Sequence, residues 1–503
     1  MMKNIYNIIL KAAVVLTAVF CLTSCLEKNP GDFILEDEGM MTFEDAEQTV
    51  TGIYAAYMSS GLYSGYLTLV PDIQSDLVYA VQGNSNTYGN IWQWDILSTN
   101  AEIEAVYASL YRVIGRCNFY LDQVEKLRDS LTDGDMIQIL DYYTGEVYCA
   151  RALAYSELIK CFCKAYDPAT AESELGVVLR SSYFKEEPVT RASLKESYEF
   201  VLADLAKAEE LLDSENDYFD APYFTHASAH AIHARTALYM QDWDAAIEHS
   251  TVLIESEAFA LATARAYVTS SQTFLDYLWT NDTSYENIWR IGYTPTSYGA
   301  PQGQVFLNFN NDFTYYYPDY VPAQWVLDLY GSGDGRYNAY FANLPTGYSH
   351  GLTWPLLVKY YGNAELMSYL IYHVNMPKPL RLAEQYLIRA EAYCRKSQYN
   401  AGSADLTALR QTRYTNGGNI SVTESNWLET ISDERVRELY MEGFRLHDLK
   451  RWGKGFERTP QSQSQAEGSS LAVAAGDPLF VWPIPKHELE APGSQIQPNE
   501  SNR

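Results

Sequence analysis

DERVRELYMEGFRLHDLKRW, running from Asp433 to Trp452, governs how the rest of the chain is read. It holds ten charged residues, no proline and a single glycine. The spacing predicts one helix of about five turns. Arg435, Glu438, Glu442 and Arg445 stand at i, i+3, i+7 and i+10, so they share a face with signs that can pair. Val436, Leu439, Gly443 and Leu446 form an apolar stripe beside it. A mid-helix glycine costs about 1 kcal/mol against alanine, so Gly443 predicts close approach by another element. Glu438 and Glu442 lie one turn apart among arginines, which favours salt bridging over a raised pKa. Glycosidase carboxylates instead flank an open cleft, so this face is assigned to internal packing and stability.

Upstream, the helical period returns in pairs. Residues 227–240 and 244–257 read as two helices joined by a turn at Asp242-Trp243, and 382–396 and 402–412 as a second such pair. Ala234, Leu238, Tyr239, Trp243 and Ala246 correspond in character to Ala390, Ala392, Tyr393, Tyr399 and Ala404. Small residues at the crossing and an aromatic at the turn resemble tetratricopeptide (TPR) repeats. Further helices are predicted over 43–58, 101–127, 136–165 and 193–212, the last opened by Ser193 with Glu196 in a capping-box pattern. The fold class is therefore all-α, mainly helical: a TPR-like helix-pair scaffold over about 101–257 and 380–453. Long irregular insertions interrupt it at about 63–100 and 258–372, where only 323–330 reads as helix.

The start of the sequence reads as a processing segment. Lys3 and Lys11 are basic, and 12–22 is an apolar run too short to span a bilayer, which needs about 20 residues. Leu22-Thr23-Ser24-Cys25 resembles a bacterial lipobox, so 1–24 is expected to be a leader, Cys25 the lipidated residue and 25–38 a tether, with 39–503 a single domain. Acyl chains on one cysteine make an anchor worth about 0.8 kcal/mol per buried CH₂. The formal charge of −28 argues against nucleic acid as a partner and against electrostatic docking on an anionic membrane. Cys117, Cys149, Cys161, Cys163 and Cys394 fall in helical segments among small or apolar neighbours and read as buried side chains, not a disulfide framework.

The Asp433–Trp452 stretch resembles the C-terminal signature of the SusD/RagB family, outer-membrane nutrient-binding lipoproteins of the Bacteroidetes. The matching residues are Glu434, Arg435, Arg437, Glu438, Leu439, Glu442, Gly443, Arg445, Asp448, Leu449, Arg451 and Trp452. Arg381-Leu382-Ala383-Glu384, Tyr386-Leu387 and Arg389-Ala390-Glu391-Ala392 resemble the family's penultimate signature. Trp482-Pro483-Ile484-Pro485 and Gln497-Pro498-Asn499 resemble its ending, and Tyr111, Arg116 and Asn118 the helix after the first loop region. The resemblance implies a surface-exposed protein of the outer membrane that sits as a lid on a SusC-like TonB-dependent transporter. It implies capture and delivery of an oligomer, with no bond cleavage and no cofactor.

The ligand contacts are expected in the two insertions, where relatives build their sites. Tyr makes up 42 of 503 residues, and many tyrosines concentrate there. A Tyr or Trp ring offers a flat apolar face with a polar edge, which suits sugar C–H faces and extended peptides alike. Tyr79, Tyr88, Trp92, Trp94 and Asn100 are the candidates in the first insertion; Tyr298, Tyr316 and Trp354 are those in the second. An oligosaccharide is favoured as ligand. Gln74-Ser75-Asp76 and the 321–330 segment lie closer to the RagB branch, which keeps an oligopeptide as the alternative. A TPR-type protein-interaction adaptor is the rival from another class.

Chemical motifs are few. The sequence contains no Walker A loop, no GxSxG elbow and no HExxH. Gly331-Ser332-Gly333-Asp334-Gly335 reads as a plain turn. His226, His230 and His233 share a helical face at i, i+4 and i+7, which is also metal-ligand spacing. They are read as a polar edge of the repeat helix, and no metal ligand is assigned.

Overall fold

The structure, a computed structural model, describes residues 39–502. The segments expected to be leader and tether, with Cys25, lie outside the described residues. The longer helices are α1 (Phe43–Tyr57), α2 (Tyr66–Gln74), α3 (Ala101–Ser130), α4 (Gly134–Phe162), α5 (Leu194–Leu211), α6 (His226–Met240), α7 (Trp243–Ile254), α8 (Phe274–Thr280), α9 (Leu382–Arg395), α10 (Tyr399–Arg413), α11 (Trp427–Leu439) and α12 (Arg445–Arg451). Their starts follow capping chemistry. Thr42 with Asp45 and Ser193 with Glu196 form capping boxes, and Asn100, Asp133 and Asp242 accept backbone N–H groups at the starts of α3, α4 and α7.

The helices stack in sequence: α3 on α4, α4 on α5, α6 on α7, and α9 on both α7 and α10. Ala234, Ala237, Leu238, Ala246, Ile388 and Ala392 fill the seam where the two repeat-like pairs meet. The alanines let the helices approach closely, and Trp243 closes the edge of the seam. Arg235 on α6 donates to Glu384 on α9 through Nε (2.7 Å) and Nη2 (2.5 Å), so the pairs are also joined by a buried bidentate bridge. Cys117, Cys149, Cys161, Cys163 and Cys394 are buried thiols. Strand content is small. Two-stranded antiparallel ladders join β1 (Val78–Ala80) to β3 (Tyr320–Pro322) and β2 (Asn287–Trp289) to β6 (Leu380–Arg381). Others join β4 (Phe341–Pro345) to β5 (Thr353–Leu357) and β7 (Phe456–Arg458) to β8 (Leu471–Val473). The chain is mainly helical, as its periodicity predicts.

Two expectations are corrected. The insertions hold more helix than the sequence suggests. Residues 66–74 form α2, although Pro71 lies inside it, and α8 with several shorter helices punctuates 274–368. Leu67 to Gln74 are all buried, so this helix has no polar face and shows no 3.6-residue period.

The second correction concerns the stretch from Asp433 to Trp452. It is two helices, α11 and α12, broken at Tyr440–Phe444, with Met441 at φ 59° and Gly443 at φ 84°. Its face does not pair with itself as expected. Glu438 accepts from Arg336, Arg381 and Arg413, and Glu442 from Lys359 and Arg381. Arg435 binds Asp448 and Arg445 reaches Asp76. Asp72 on α2 explains the break. Its Oδ2 accepts from Gly443 N (3.0 Å) and its Oδ1 from Arg445 N (2.8 Å), capping α12 from another element. Gly443 is a point of close approach, as predicted: a Cβ there would lie 2.5 Å from the Leu67 carbonyl oxygen. Pro71 has no N–H to offer that carbonyl, which leaves the α2 surface open for the Gly443 backbone to pass.

The arginine–glutamate cluster has a clear electrostatic signature. Burial alone would raise Glu438, but Arg413, Arg381 and Arg336 hold it well below the ordinary carboxylate range. Glu434 behaves likewise, at about 2, under Arg336, Arg437 and Arg410. Arg336, Arg413, Glu434 and Glu438 are fully buried, so the cluster is internal framework, not a surface for ligand.

Candidate functional site

The β1–β3 ladder decides where the first insertion meets the second. Pairing Ala80 with Tyr320 brings the turn at 81–88 beside Asp319. Gly83, Asn86 and Tyr88 adopt positive φ, so the turn is tightly wound. Asp319 holds it in place: its carboxylate accepts from Ser85 N (2.7 Å) and from Ser85 Oγ (2.8 and 2.6 Å). The Tyr320 hydroxyl donates to the Thr87 carbonyl at 2.6 Å.

This arrangement opens a cleft of about 270 Å³ lined by Tyr66, Tyr88, Thr87, Gln304, Asn308 and Asp319, among others. Tyr66 and Tyr88 meet edge to face, with centroids 5.8 Å apart at 83°. Gly83 sits against Tyr348, since a Cβ there would lie 3.9 Å from that ring. Tyr348 stacks with Trp354 at 12°, centroids 6.2 Å apart, and Tyr317 meets Tyr348 at 76°. The β4–β5 hairpin positions Trp354 opposite Leu344. Tyr348 and Trp354 are each half-buried, and the hairpin tip carries the exposed Leu352. Burial, with the charge of Asp319, pushes the Tyr348 phenol up to about 12 and raises Tyr88 as well. Both phenols are therefore neutral hydroxyls at physiological pH, able to donate and to accept. The site offers ring faces, ring edges, hydroxyls and amides.

The residues predicted from sequence separate into two groups. Tyr88 lines the cleft, and Trp354 stands on the adjacent hairpin. Tyr298 is 47% exposed on the loop leading to Ala300 and Pro301 of the cleft wall, and Tyr316 is half-buried with its hydroxyl 3.0 Å from that of Tyr361. Trp92, Trp94 and Tyr79 are instead core, which corrects the expectation that their rings face a ligand. Trp92 Nε1 donates to the Val78 carbonyl (3.3 Å), and the Arg458 guanidinium lies 4.7 Å from its ring centroid. Trp94 Nε1 donates to the Gln74 carbonyl at 2.7 Å, and the Tyr79 hydroxyl accepts from Thr459 N at 2.9 Å. Asn100 is committed to capping α3, its Oδ1 accepting from Ile103 N at 3.0 Å. Sequence reasoning missed Tyr66 and Asp319. Tyr66 starts a helix whose period is hidden, while the adjacency of Asp319 to Ser85 is a tertiary fact with no local signal.

Residues 34–238 match a family model described as starch-binding associating with outer membrane, and residues 308–494 match the model of the SusD family. A SusD-like protein, P38, of Formosa agariphila is 26% identical over 282 residues, covering 52% of this chain and 48% of that protein. The chain thus matches about half the length of this curated relative. Among solved structures, a SusD superfamily protein from Bacteroides thetaiotaomicron superposes with TM-score 0.75 at 21% identity, over 91% of this chain and 100% of the other. A SusD-like carbohydrate binding protein from Bacteroides vulgatus gives TM-score 0.72 at 20% identity, over 90% and 97% of the two chains. At these identities the structural likeness speaks for the fold.

Proposed function

The chain belongs to the SusD/RagB family, and from that premise we propose that it is a nutrient-binding protein of the outer-membrane surface that captures an oligosaccharide. The reading rests on one observation above others: the cleft walled by Tyr66 and Tyr88, next to the Tyr348–Trp354 ring pair. Sugar rings present C–H faces to aromatic planes and hydroxyls to amides and phenols, and the site supplies both kinds of partner. The described family role, starch-binding associating with outer membrane, and the carbohydrate binding stated for the Bacteroides vulgatus protein support the same class of ligand. In this reading the protein binds without cleaving a bond and passes its cargo to a SusC-like TonB-dependent transporter, and Cys25 carries the lipid that holds it at the surface. Repeated weak stacking along an oligomer gives useful affinity while permitting release.

Calorimetry on the purified protein with a panel of oligosaccharides and oligopeptides tests the ligand class. Oligosaccharide binding that weakens in Tyr88→Ala is the expected result. Binding of peptides without any glycan would replace the proposal with its peptide-binding alternative. Affinity purification from outer membranes tests the partner, and recovery without a large transporter would count against delivery.

A further inference from the structure

The three histidines on α6 do not stand alone. Folding brings His249 of α7 and Glu209 of α5 to them, from positions that their own spacing gives no hint of. His233 Nδ1 lies 2.8 Å from Glu209 Oε1, and His249 Nδ1 lies 3.5 Å from the same oxygen. The ligand atoms of Glu209, His233 and His249 all fall within 4.8 Å of one another. His230 Nδ1 is 2.7 Å from His249 Nδ1 and 3.9 Å from Glu209 Oε1. Each of these side chains is between one-tenth and one-fifth exposed, so the cluster is enclosed yet reachable from solvent.

We propose that Glu209, His233 and His249, with His230 as fourth ligand, form a binding site for a divalent transition cation of the zinc type. Zinc–ligand bonds of about 2.0–2.1 Å in a tetrahedron place ligand atoms about 3.4 Å apart. Four of the six edges of such a tetrahedron are given above, 2.7 to 3.9 Å, and bracket that separation, and the His233–His249 edge lies within 4.8 Å. The contacts also constrain the rings when no cation is bound. Two Nδ1 atoms 2.7 Å apart need one to donate and the other to accept, which forces one ring into a particular tautomer. A cation uses the lone pairs of both and releases the protons.

Further polar groups stand behind the ligands. His230 Nε2 is 3.0 Å from His226 Nε2, and His226 Nδ1 faces Asp217 Oδ2 at 3.5 Å. His226 thus stands where a carboxylate or carbonyl usually orients the far nitrogen of a metal-bound histidine, with Asp217 behind it. Imidazole and carboxylate donors together suit zinc, and also nickel or copper, better than calcium or magnesium. The cation would join α5, α6 and α7, three successive helices of the scaffold.

The test uses the untagged full chain, stripped with a chelator, reloaded with zinc chloride and dialysed, with bound metal read by mass spectrometry. One zinc per chain is expected, with an unfolding temperature that rises on loading. Affinity should fall at least about tenfold in His249→Gln and in Glu209→Gln, and about 10- to 100-fold in His226→Ala, which touches only the outer shell. His487→Ala, at an exposed histidine beside Glu488, should leave binding unchanged. Cobalt(II) supplies a readout independent of any variant: intense visible absorption marks tetrahedral nitrogen and oxygen ligation. Substoichiometric zinc in the wild-type chain, absence of the cobalt bands, or unaltered affinity in a folded His249→Gln would each overturn the proposal.

Discussion

Arg445 grips Asp76 across more than three hundred residues of chain, with Nε 2.9 Å from Oδ1 and Nη2 2.8 Å from Oδ2. The bridge ties the start of α12 to the segment that leads into β1. Trp325 completes it: its Nε1 donates to the Asp76 carbonyl at 2.9 Å and its ring centroid lies 5.4 Å from the Arg445 guanidinium. The family signature and the first insertion are thus one mechanical unit. The signature holds the base of the insertion.

Arg445→Ala removes one partner of a nearly buried bidentate pair and leaves Asp76 uncompensated. A loss of about 3–5 kcal/mol is expected, measured by urea unfolding. Ligand affinity of the fraction that folds should stay near wild type, because Arg445 lies outside the cleft. Reduced affinity in a fully folded variant would show that this bridge shapes the site directly.

Gly443→Ala tests the break between α11 and α12. Alanine pays for φ 84°, and its Cβ would meet the Leu67 oxygen at 2.5 Å and the Thr68 oxygen at 3.1 Å. Both atoms are backbone, so relief requires moving α2. Destabilisation of about 2–4 kcal/mol is expected from thermal or urea melts. A near-neutral result would mean that α2 shifts easily.

Tyr88→Ala and Trp354→Ala should weaken ligand binding roughly three- to tenfold each while changing stability less than core substitutions do. Trp92→Ala should do the reverse, costing about 3–5 kcal/mol of stability because it empties a packed site. Calorimetry paired with melting curves on the three variants separates these roles. A Trp92→Ala protein of normal stability and lost affinity would reverse the assignment of core and site.

Much of the scaffold is legible in the sequence because amphipathic helices carry their burial in their period. The seam residues Ala234, Leu238, Ala246 and Ala392 are legible in the repeat-like pattern of the two helix pairs. The break at Tyr440–Phe444 was not, since its cause is Asp72, a capping group from another element. The site was half legible. Composition points to aromatic insertions, but Trp92 and Tyr88 stand four residues apart in the same tract, and only tertiary packing makes one core and the other cleft.

The buried ion pairs also set the acid limb of stability. Burial would raise Glu391, but Arg451, with Arg435 and Arg395 behind it, holds its carboxyl at about 2. In the unfolded chain a glutamate titrates near about 4.3. The folded value is depressed, so the contribution is fully present above about 4.3 and is lost as pH falls toward 2, amounting to about 3 kcal/mol at neutrality. Asp72 and Glu146 run the other way. Burial raises them to about 7 and about 8, so each favours the fold more as pH drops from that range toward 4. Glu391→Gln isolates the first effect. It should destabilise by about 3–5 kcal/mol at pH 7, where Arg451 loses its bidentate partner and the Trp452 indole N–H its carboxylate acceptor. The gap from wild type should narrow steadily between pH 4 and pH 2, as the wild-type carboxylate takes up its proton. Urea titrations of both proteins across that interval provide the measurement; a gap that stays constant would mean that Arg451 does not hold Glu391 ionised.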